Sequence, residues 1–119
     1  MKYMIMMFGS AGEMMETQSP DWIREMIAFM QNLDVDLQAS GELVFNAGLA
    51  DGSTAKTVSL EHGLPVATDG PFAEAKESLV GYWVVDVENE GRAIEIAGQI
   101  VTYARTVEVR RVMDAPPEV

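Results

Sequence analysis

The residues best suited to do chemistry in this chain are crowded into one short segment, Thr68–Glu77. It holds several ionisable side chains and one aromatic side chain: Asp69, Glu74, Lys76, Glu77 and Phe72. A solvated loop rarely needs an aromatic side chain, and a protein core rarely takes so many charged ones. Because binding and catalytic groups tend to lie on loops held by a rigid scaffold, we predict the functional site here.

Asp69 is the candidate group for proton transfer. A carboxylate at the mouth of a largely apolar cavity is suited to act as a general acid or base. The alternative role is structural, since an aspartate side chain often accepts hydrogen bonds from nearby backbone N–H groups and would then fix the turn at Gly70–Pro71. The sequence leaves both roles open, and both are compatible with one loop.

A wider set of side chains is predicted to contact a ligand: Gly70, Pro71, Phe72, Glu74, Tyr82 and Trp83. Several of them have a plainer interpretation. Phe72 can anchor the loop, and Glu74 can lie in solvent. Tyr82 and Trp83 are adjacent on a strand and point to its opposite faces, so one packs beneath helices while the other faces any interior between sheets.

Composition argues against several kinds of site. The chain has no cysteine and a single histidine, His62, which lies in a predicted hairpin turn. We therefore expect no metal site and no cofactor. Neither a serine-nucleophile motif nor a phosphate-binding loop occurs, because Gly9–Gly12 lacks the lysine and the following serine or threonine of such a loop.

The charge balance bears on partners. There are 19 acidic and 8 basic residues, for a net charge of −11. An acidic surface repels phosphate backbones and anionic membranes, so neither nucleic acid nor a membrane is an expected partner. No long apolar run or basic leader is present, and we expect a cytoplasmic protein.

Periodicity predicts one domain over residues 1–113 and a tail over residues 114–119. A helix is expected from the Ser19 cap to a left-handed residue at Gly41, and a second from Asn89 to Tyr103. Strands are predicted at Lys2–Phe8, Glu42–Ala47, Ala55–Leu60, Leu64–Thr68, Leu79–Val87 and Thr106–Met113. Gly9–Gln18 is expected to be a flexible connection.

The order β-α-β-hairpin-β-α-β is the split βαβ pattern of a ferredoxin-like α+β sheet with an inserted hairpin. Both helices of such a fold cover one side of the sheet. The predicted strands Lys2–Phe8 and Leu79–Val87 carry large apolar side chains on both sides, with Leu79 expected on the face of Trp83 and Val80 on the face of Tyr82. Because monomers seldom leave such a face open, we predict a homodimer packed sheet to sheet as a barrel.

The chain also resembles a known family. Five segments carry the resemblance: Met1–Met4, Ala39–Leu43, Thr68–Glu74, Gly81–Trp83 and Val107–Arg110. They are similar to the YCII-related proteins of the DGPF-domain branch, over nearly the whole chain. The resemblance implies a bacterial, dimeric ferredoxin-like α+β barrel, relatives that include a dehydrochlorinase, and a His-Asp catalytic pair in part of the family. It also implies an association of some members with extracytoplasmic-function sigma factors.

This chain departs from the family pattern before the last strand. Many members carry a histidine there, whereas here the segment is Tyr103–Thr106. Three functions therefore remain open. The first is a homodimer with a small-molecule cleft, acting as a cofactor-independent lyase or isomerase through Asp69. The second is a non-catalytic ligand-binding or regulatory protein associated with a sigma factor, and the third is a structural dimer.

Overall fold

The structure is a computed structural model that describes residues 1–71 and 78–118. The strands are β1 Lys2–Gly9, β2 Leu43–Gly48, β3 Lys56–Glu61, β4 Leu64–Asp69, β5 Ser78–Asp86 and β6 Val107–Arg111. The helices are α1 Ala11–Thr17, α2 Pro20–Ala39 and α3 Glu90–Ala104, with a 3-10 turn at Gly52–Thr54. The predicted ligand contacts Phe72 and Glu74 lie outside the described residues.

One antiparallel sheet contains four of the strands, in the order β2-β5-β1-β6. This is the ferredoxin-like arrangement, in which the first and third main strands are central, and it confirms the predicted α+β fold. The hairpin of β3 and β4 is a separate two-stranded sheet. Among the residues that the structure describes, no helix is both long and apolar enough to cross a membrane.

Helix α2 begins and ends where its sequence predicts. The Ser19 hydroxyl accepts a hydrogen bond from the backbone N–H of Trp22 at 3.1 Å, which satisfies a donor of the first turn. At the other end Gly41 has φ +78°, and the N–H of Glu42 donates to the carbonyl of Leu37 at 2.9 Å. This closing pattern needs a left-handed residue after the helix, which glycine adopts without strain.

The prediction of a flexible connection at Gly9–Gln18 is wrong, because residues 11–17 form α1. The Ser10 hydroxyl accepts from the backbone N–H of Glu13 at 3.2 Å, so serine and glutamate stand in the spacing of a capping box. A second acceptor comes from far along the chain, since the Asp51 carboxylate receives the N–H of Gly12 at 3.3 Å. This helix has only seven residues, which is too short for a repeating apolar pattern to predict it.

One face of the four-stranded sheet is covered by α2 and α3. The fully buried side chains at this contact are Ile5, Val85, Leu37, Ile96 and Ile100. Trp83 joins them at 6% exposure, and its ring N–H donates to Asp34 at 3.2 Å. Apolar burial of about 25 cal/mol per Å² therefore fixes both helices on this side.

The opposite face of the sheet has no helix on it among the described residues. We call it the open face, and its apolar side chains are Met4, Met6, Phe8, Phe45, Ala47, Leu79, Tyr82 and Val84. On the edge strand β6 the ion pair of Glu108 and Arg110 lies on the same face, paired with Met6 and Met4. Phe45 is 55% exposed and stacks near Tyr82, with ring centroids 6.1 Å apart. The predicted excess of apolar surface over what two helices can cover is thus present in the single chain.

A bulge changes which residues share that face. The pairing of β1 with β5 shifts between Met7 and Phe8, so that Phe8 pairs with Leu79 and Val80 has no partner in the register. Paired residues of a ladder point to the same face. The prediction that Leu79 shares a face with Trp83, and Val80 with Tyr82, is therefore wrong, because strict alternation does not continue through a bulge.

The inserted hairpin stands away from the rest of the chain. Its two-residue turn, His62 and Gly63, has φ 51° and 80°, the all-positive combination that matches the twist of a tight hairpin. Val58, Leu60 and Leu64 are 66%, 74% and 67% exposed. The radius of gyration is 16.6 Å, against about 14 Å for a compact chain of this length. The hairpin is thus an extended arm with unburied apolar side chains.

A charged clamp joins the end of α2 to the start of α3. The guanidinium of Arg92 donates to both carboxylate oxygens of Glu42, each at 2.8 Å, and the Ser40 hydroxyl donates to the same carboxylate at 2.8 Å. The hydrogen bonds from Arg92, with that from Ser40, lower the pKa of Glu42 despite some desolvation. The paired carboxylate in turn raises the pKa of Arg92.

We expect Glu42→Gln to lower the free energy of unfolding at neutral pH by about 1 kcal/mol, because the fork-shaped pair is partly buried but still screened by solvent. The pKa of Glu42 is lower in the folded chain, so its contribution is complete above its unfolded pKa and is lost as pH falls through the folded pKa. Urea titrations of both proteins should therefore converge in acid. A gap of constant size down to the lowest pH would contradict the assignment.

Candidate functional site

Asp69, the predicted proton-transfer group, lies at the end of β4 with its side chain 89% exposed. Its carboxylate pairs with the ammonium group of Lys56 on the neighbouring strand. It is not among the residues that line the three cavities near the sheet and helix α1. The single chain does not provide the apolar surroundings on which the proton-transfer role was predicted, and that role stays a prediction.

The turn after β4 is held by backbone groups. The N–H of Gly70 donates to the carbonyl of Ala55 at 2.7 Å, and the carbonyl of Gly70 accepts from the Thr57 hydroxyl at 2.7 Å. Gly70 has φ +94°, which suits glycine. Pro71 follows and lines two cavities, so the predicted signature does reach a concave surface.

Tyr82 and Trp83, two of the three predicted aromatic contacts, lie on opposite faces of the sheet. Tyr82 lies on the open face beside Phe45, whereas Trp83 lies in the core under α2. Of these two side chains, Tyr82 is therefore the one placed where a molecule outside the core could meet it. This separation agrees with the expectation that the two adjacent side chains point to opposite faces.

A small polar cleft lies between α1, the 3-10 turn and the start of β5. Its volume is about 190 Å³, and its lining residues are Gly9, Ser10, Glu13, Asp51, Gly52, Ser53, Pro71 and Ser78. We call it the serine cleft. A side chain at Gly52 would overlap that of Ser78. Glycine is therefore required there for the turn to approach β5.

Asp51 organises the serine cleft. Its carboxylate accepts from the N–H of Ser53 at 3.1 Å, from the N–H of Gly12 at 3.3 Å and from the Ser10 hydroxyl at 3.3 Å. These hydrogen bonds, those from Ser53 first, lower the pKa of Asp51 to about 2. Because such a carboxylate is ionised and already engaged at neutral pH, it is a poor general base and a good structural link.

A larger cavity lies beside the serine cleft and shares Gly9, Ser10 and Glu13 with it. It occupies about 630 Å³ between α1, α2, the end of α3 and β1. Its other lining residues are Met7, Phe8, Met14, Thr17, Gln18, Trp22, Met26, Met30, Val80, Tyr103, Ala104 and Arg105. We call it the methionine cavity. Pockets for small organic molecules have volumes of roughly 300 to 1,000 Å³.

The aromatic wall of the methionine cavity is built by contacts between helices. Trp22 and Tyr103 meet edge to face with ring centroids 5.5 Å apart, and Phe29 packs against Tyr103 at 5.1 Å. Such pairs contribute about 0.5–1.5 kcal/mol beyond their buried area. The wall is therefore held in place without a ligand. Flexible methionine side chains complete the lining and can adapt to different shapes.

This cavity was not predicted from the sequence. Trp22, Met26 and Met30 belong to the apolar stripe of α2, which predicts core packing. The signal that distinguishes Trp22 and Met26 is positional, because they lie in the first half of a helix whose buried residues, Leu33 and Leu37, lie in the second half. Met30 lies between these two groups, where it packs against the core and also lines the cavity. The described residues hold no group of three or more acidic or histidine side chains able to bind a metal ion.

We expect Asp51→Ala to lower the melting temperature by about 4 °C or more, since three hydrogen bonds to α1 and the 3-10 turn are lost. Asp69→Ala is the matched control and should change it by about 1 °C or less, because its exposed ion pair adds little. Since the pKa of Asp51 is lowered to about 2, the difference should shrink as pH falls below the unfolded value toward 2. Equal melting shifts for the two variants would contradict this assignment.

Comparison with known proteins supports the family resemblance. The family model of the YCII-related domain matches residues 1–116. A protein of Rhizobium meliloti (strain 1021), described only as uncharacterized, is 34% identical over 58 residues. The match covers 49% of this chain and 47% of that protein, so the chain spans about half the length of this curated relative. The chain belongs to the YCII-related family.

Proposed function

We propose that this protein is a homodimer that binds a small organic molecule in the methionine cavity. The observation that carries the proposal is the cavity itself, about 630 Å³ with an apolar and aromatic lining and a polar end at Ser10 and Glu13. An apolar enclosure with a few convergent polar groups is the usual form of a ligand site. The single chain supplies all of these lining residues.

Binding is better supported than proton-transfer catalysis. Asp51 is ionised and saturated with hydrogen bonds, and Asp69 is exposed beside Lys56. Neither carboxylate lines the methionine cavity. A cofactor-independent lyase or isomerase that uses Asp69 requires a second chain to enclose that residue, so it is the second candidate. Association with a sigma factor and a cytoplasmic location stay predictions from the resemblance and the composition.

Dimerisation is proposed from two apolar surfaces of the chain. The first is the open face, whose side chains include the half-buried Met6 and the exposed Phe45. The second is one side of the hairpin arm, where Val58 and Leu60 pair across the strands with Ala67 and Pro65. Two copies packed open face to open face would remove the first from water, and the arms could then cover the partner's edge. Stable dimers commonly bury about 800 Å² per subunit.

We expect the protein to sediment as a dimer and the variant Met6→Glu to sediment as a monomer. The substitution places a carboxylate in each copy at the centre of the apolar contact, beside Glu108 on the paired strand. Ile94→Glu is the matched control, because Ile94 is 56% exposed on α3 and not on the open face. A monomeric wild-type protein at micromolar concentration would refute the dimer, as would a dimer that survives Met6→Glu.

We expect the uncharged dye N-phenyl-1-naphthylamine to bind the methionine cavity and quench Trp22, one of two tryptophans in the chain. Thr17→Phe should weaken this binding by about tenfold, because Thr17 lines the cavity and a larger side chain occupies part of it. Met15→Phe is the control, since Met15 is 63% exposed on the same helix and is not a lining residue. Fluorescence titration and calorimetry give the affinities, and equal values for the two variants would refute the site.

A further inference from the structure

Arg105 has a backbone conformation that residues other than glycine seldom adopt. It has φ 65° and ψ −53°, and the N–H of Thr106 donates across it to the carbonyl of Ala104 at 2.7 Å. These values describe the strained form of the three-residue γ-turn. Glycine is the usual residue where a helix ends on a positive φ. Retained strain of this kind is concentrated at ligand and catalytic sites, so an arginine here calls for a chemical reason.

Arg105 is one of the residues that line the methionine cavity, and it is exposed to solvent. Among the described lining residues it carries the one positive charge, and Glu13 carries the one negative charge. Within residues 1–71 and 78–118, no ion pair involves Arg105. An exposed cation therefore borders a mostly apolar enclosure in a chain whose net charge is −11.

Local helix structure explains the position of Glu13 but not that of Arg105. Glu13 is explained by the start of α1, where an acid in the first turn and three residues after the Ser10 cap is favourable. A cation near the end of α3 is likewise favoured by the helix dipole. That effect accounts for a positive charge near the helix end, but a lysine or arginine in the regular last turn supplies it without a positive φ. The position of Arg105 therefore remains to be explained by something it binds.

We propose that the ligand of the methionine cavity is an amphiphilic organic anion, with its apolar or aromatic body against the methionine and aromatic wall and its acidic group on the guanidinium of Arg105. This inference rests on the proposed function, because it names the chemical class that the same cavity takes. A guanidinium presents a fixed fork of donors that matches carboxylate, sulfonate and phosphate groups. Since the acidic surface repels anions in general, selection of an anion requires a local cation.

Two dyes with the same aromatic skeleton test the charge alone. 8-Anilinonaphthalene-1-sulfonate carries a sulfonate group, and N-phenyl-1-naphthylamine lacks it. Each is titrated into the wild-type protein and into Arg105→Gln, with quenching of Trp22 and dye emission as the signals. Arg24→Gln is the matched control, because it removes one positive charge from α2 at a residue that does not line the cavity.

We expect Arg105→Gln to weaken binding of the sulfonate dye by about tenfold, the loss of one charge-assisted hydrogen bond at a partly exposed site, and to change binding of the neutral dye by about twofold or less. Arg24→Gln should change neither by more than about twofold. If neither dye binds the wild-type protein, the proposed function fails and takes this inference with it. If the neutral dye binds but Arg105→Gln weakens both dyes alike or neither, the cavity stands and the anion assignment is refuted.

A second variant separates binding from a structural role. Arg105→Gly removes the guanidinium and relieves the backbone strain, so we expect the melting temperature to rise by roughly 2–6 °C while binding of the sulfonate dye falls by about tenfold. If Arg105 served only to end the helix, the substitution would not weaken dye binding while raising the melting temperature. A fall in melting temperature for Arg105→Gly, with unchanged binding of the sulfonate dye, would overturn the proposal.

Discussion

The constraint on which the rest of this structure depends is that its two central strands are apolar on both sides while its helices cover only one. Ile5 and Val85 are fully buried beneath α2 and α3, and their neighbours Met4 and Val84 face the other way. Burial of the first set stabilises the fold of the single chain. Burial of the second set would also be favourable, but the single chain leaves that face without a covering layer of helices, and this is the physical basis for expecting a partner.

The helices, like the sheet, do not bury all of their apolar side chains in the core. The second half of α2 packs on the sheet through Leu33 and Leu37, whereas Trp22 and Met26 of its first half line a cavity together with residues of α1 and the end of α3. At one end of the cavity, hydrogen bonds from backbone N–H groups to the Asp51 carboxylate hold α1 and the 3-10 turn together. Arg105, whose backbone has a positive φ, follows α3 and lines the same cavity.

Membership of the YCII-related family fixes the fold and leaves the chemistry open. Function lies in the particular residues of a site and not in the fold that carries them. In this chain the signature segment contributes Pro71 to two concave surfaces, while Asp69 points into solvent. The methionine cavity is instead lined by residues that no signature marks.

Local patterns in the sequence determined the helix limits at Ser19 and Gly41, the hairpin turn at His62 and the two-sided central strands, because caps, turn residues and side-chain period act over a few neighbouring positions. Only the tertiary structure decided the bulge that turns Leu79 onto the open face, the distant acceptor Asp51 that supports α1, and the cavity around Trp22 and Tyr103. Each of these depends on contacts between residues far apart in the chain, and a local period carries no information about where such residues meet.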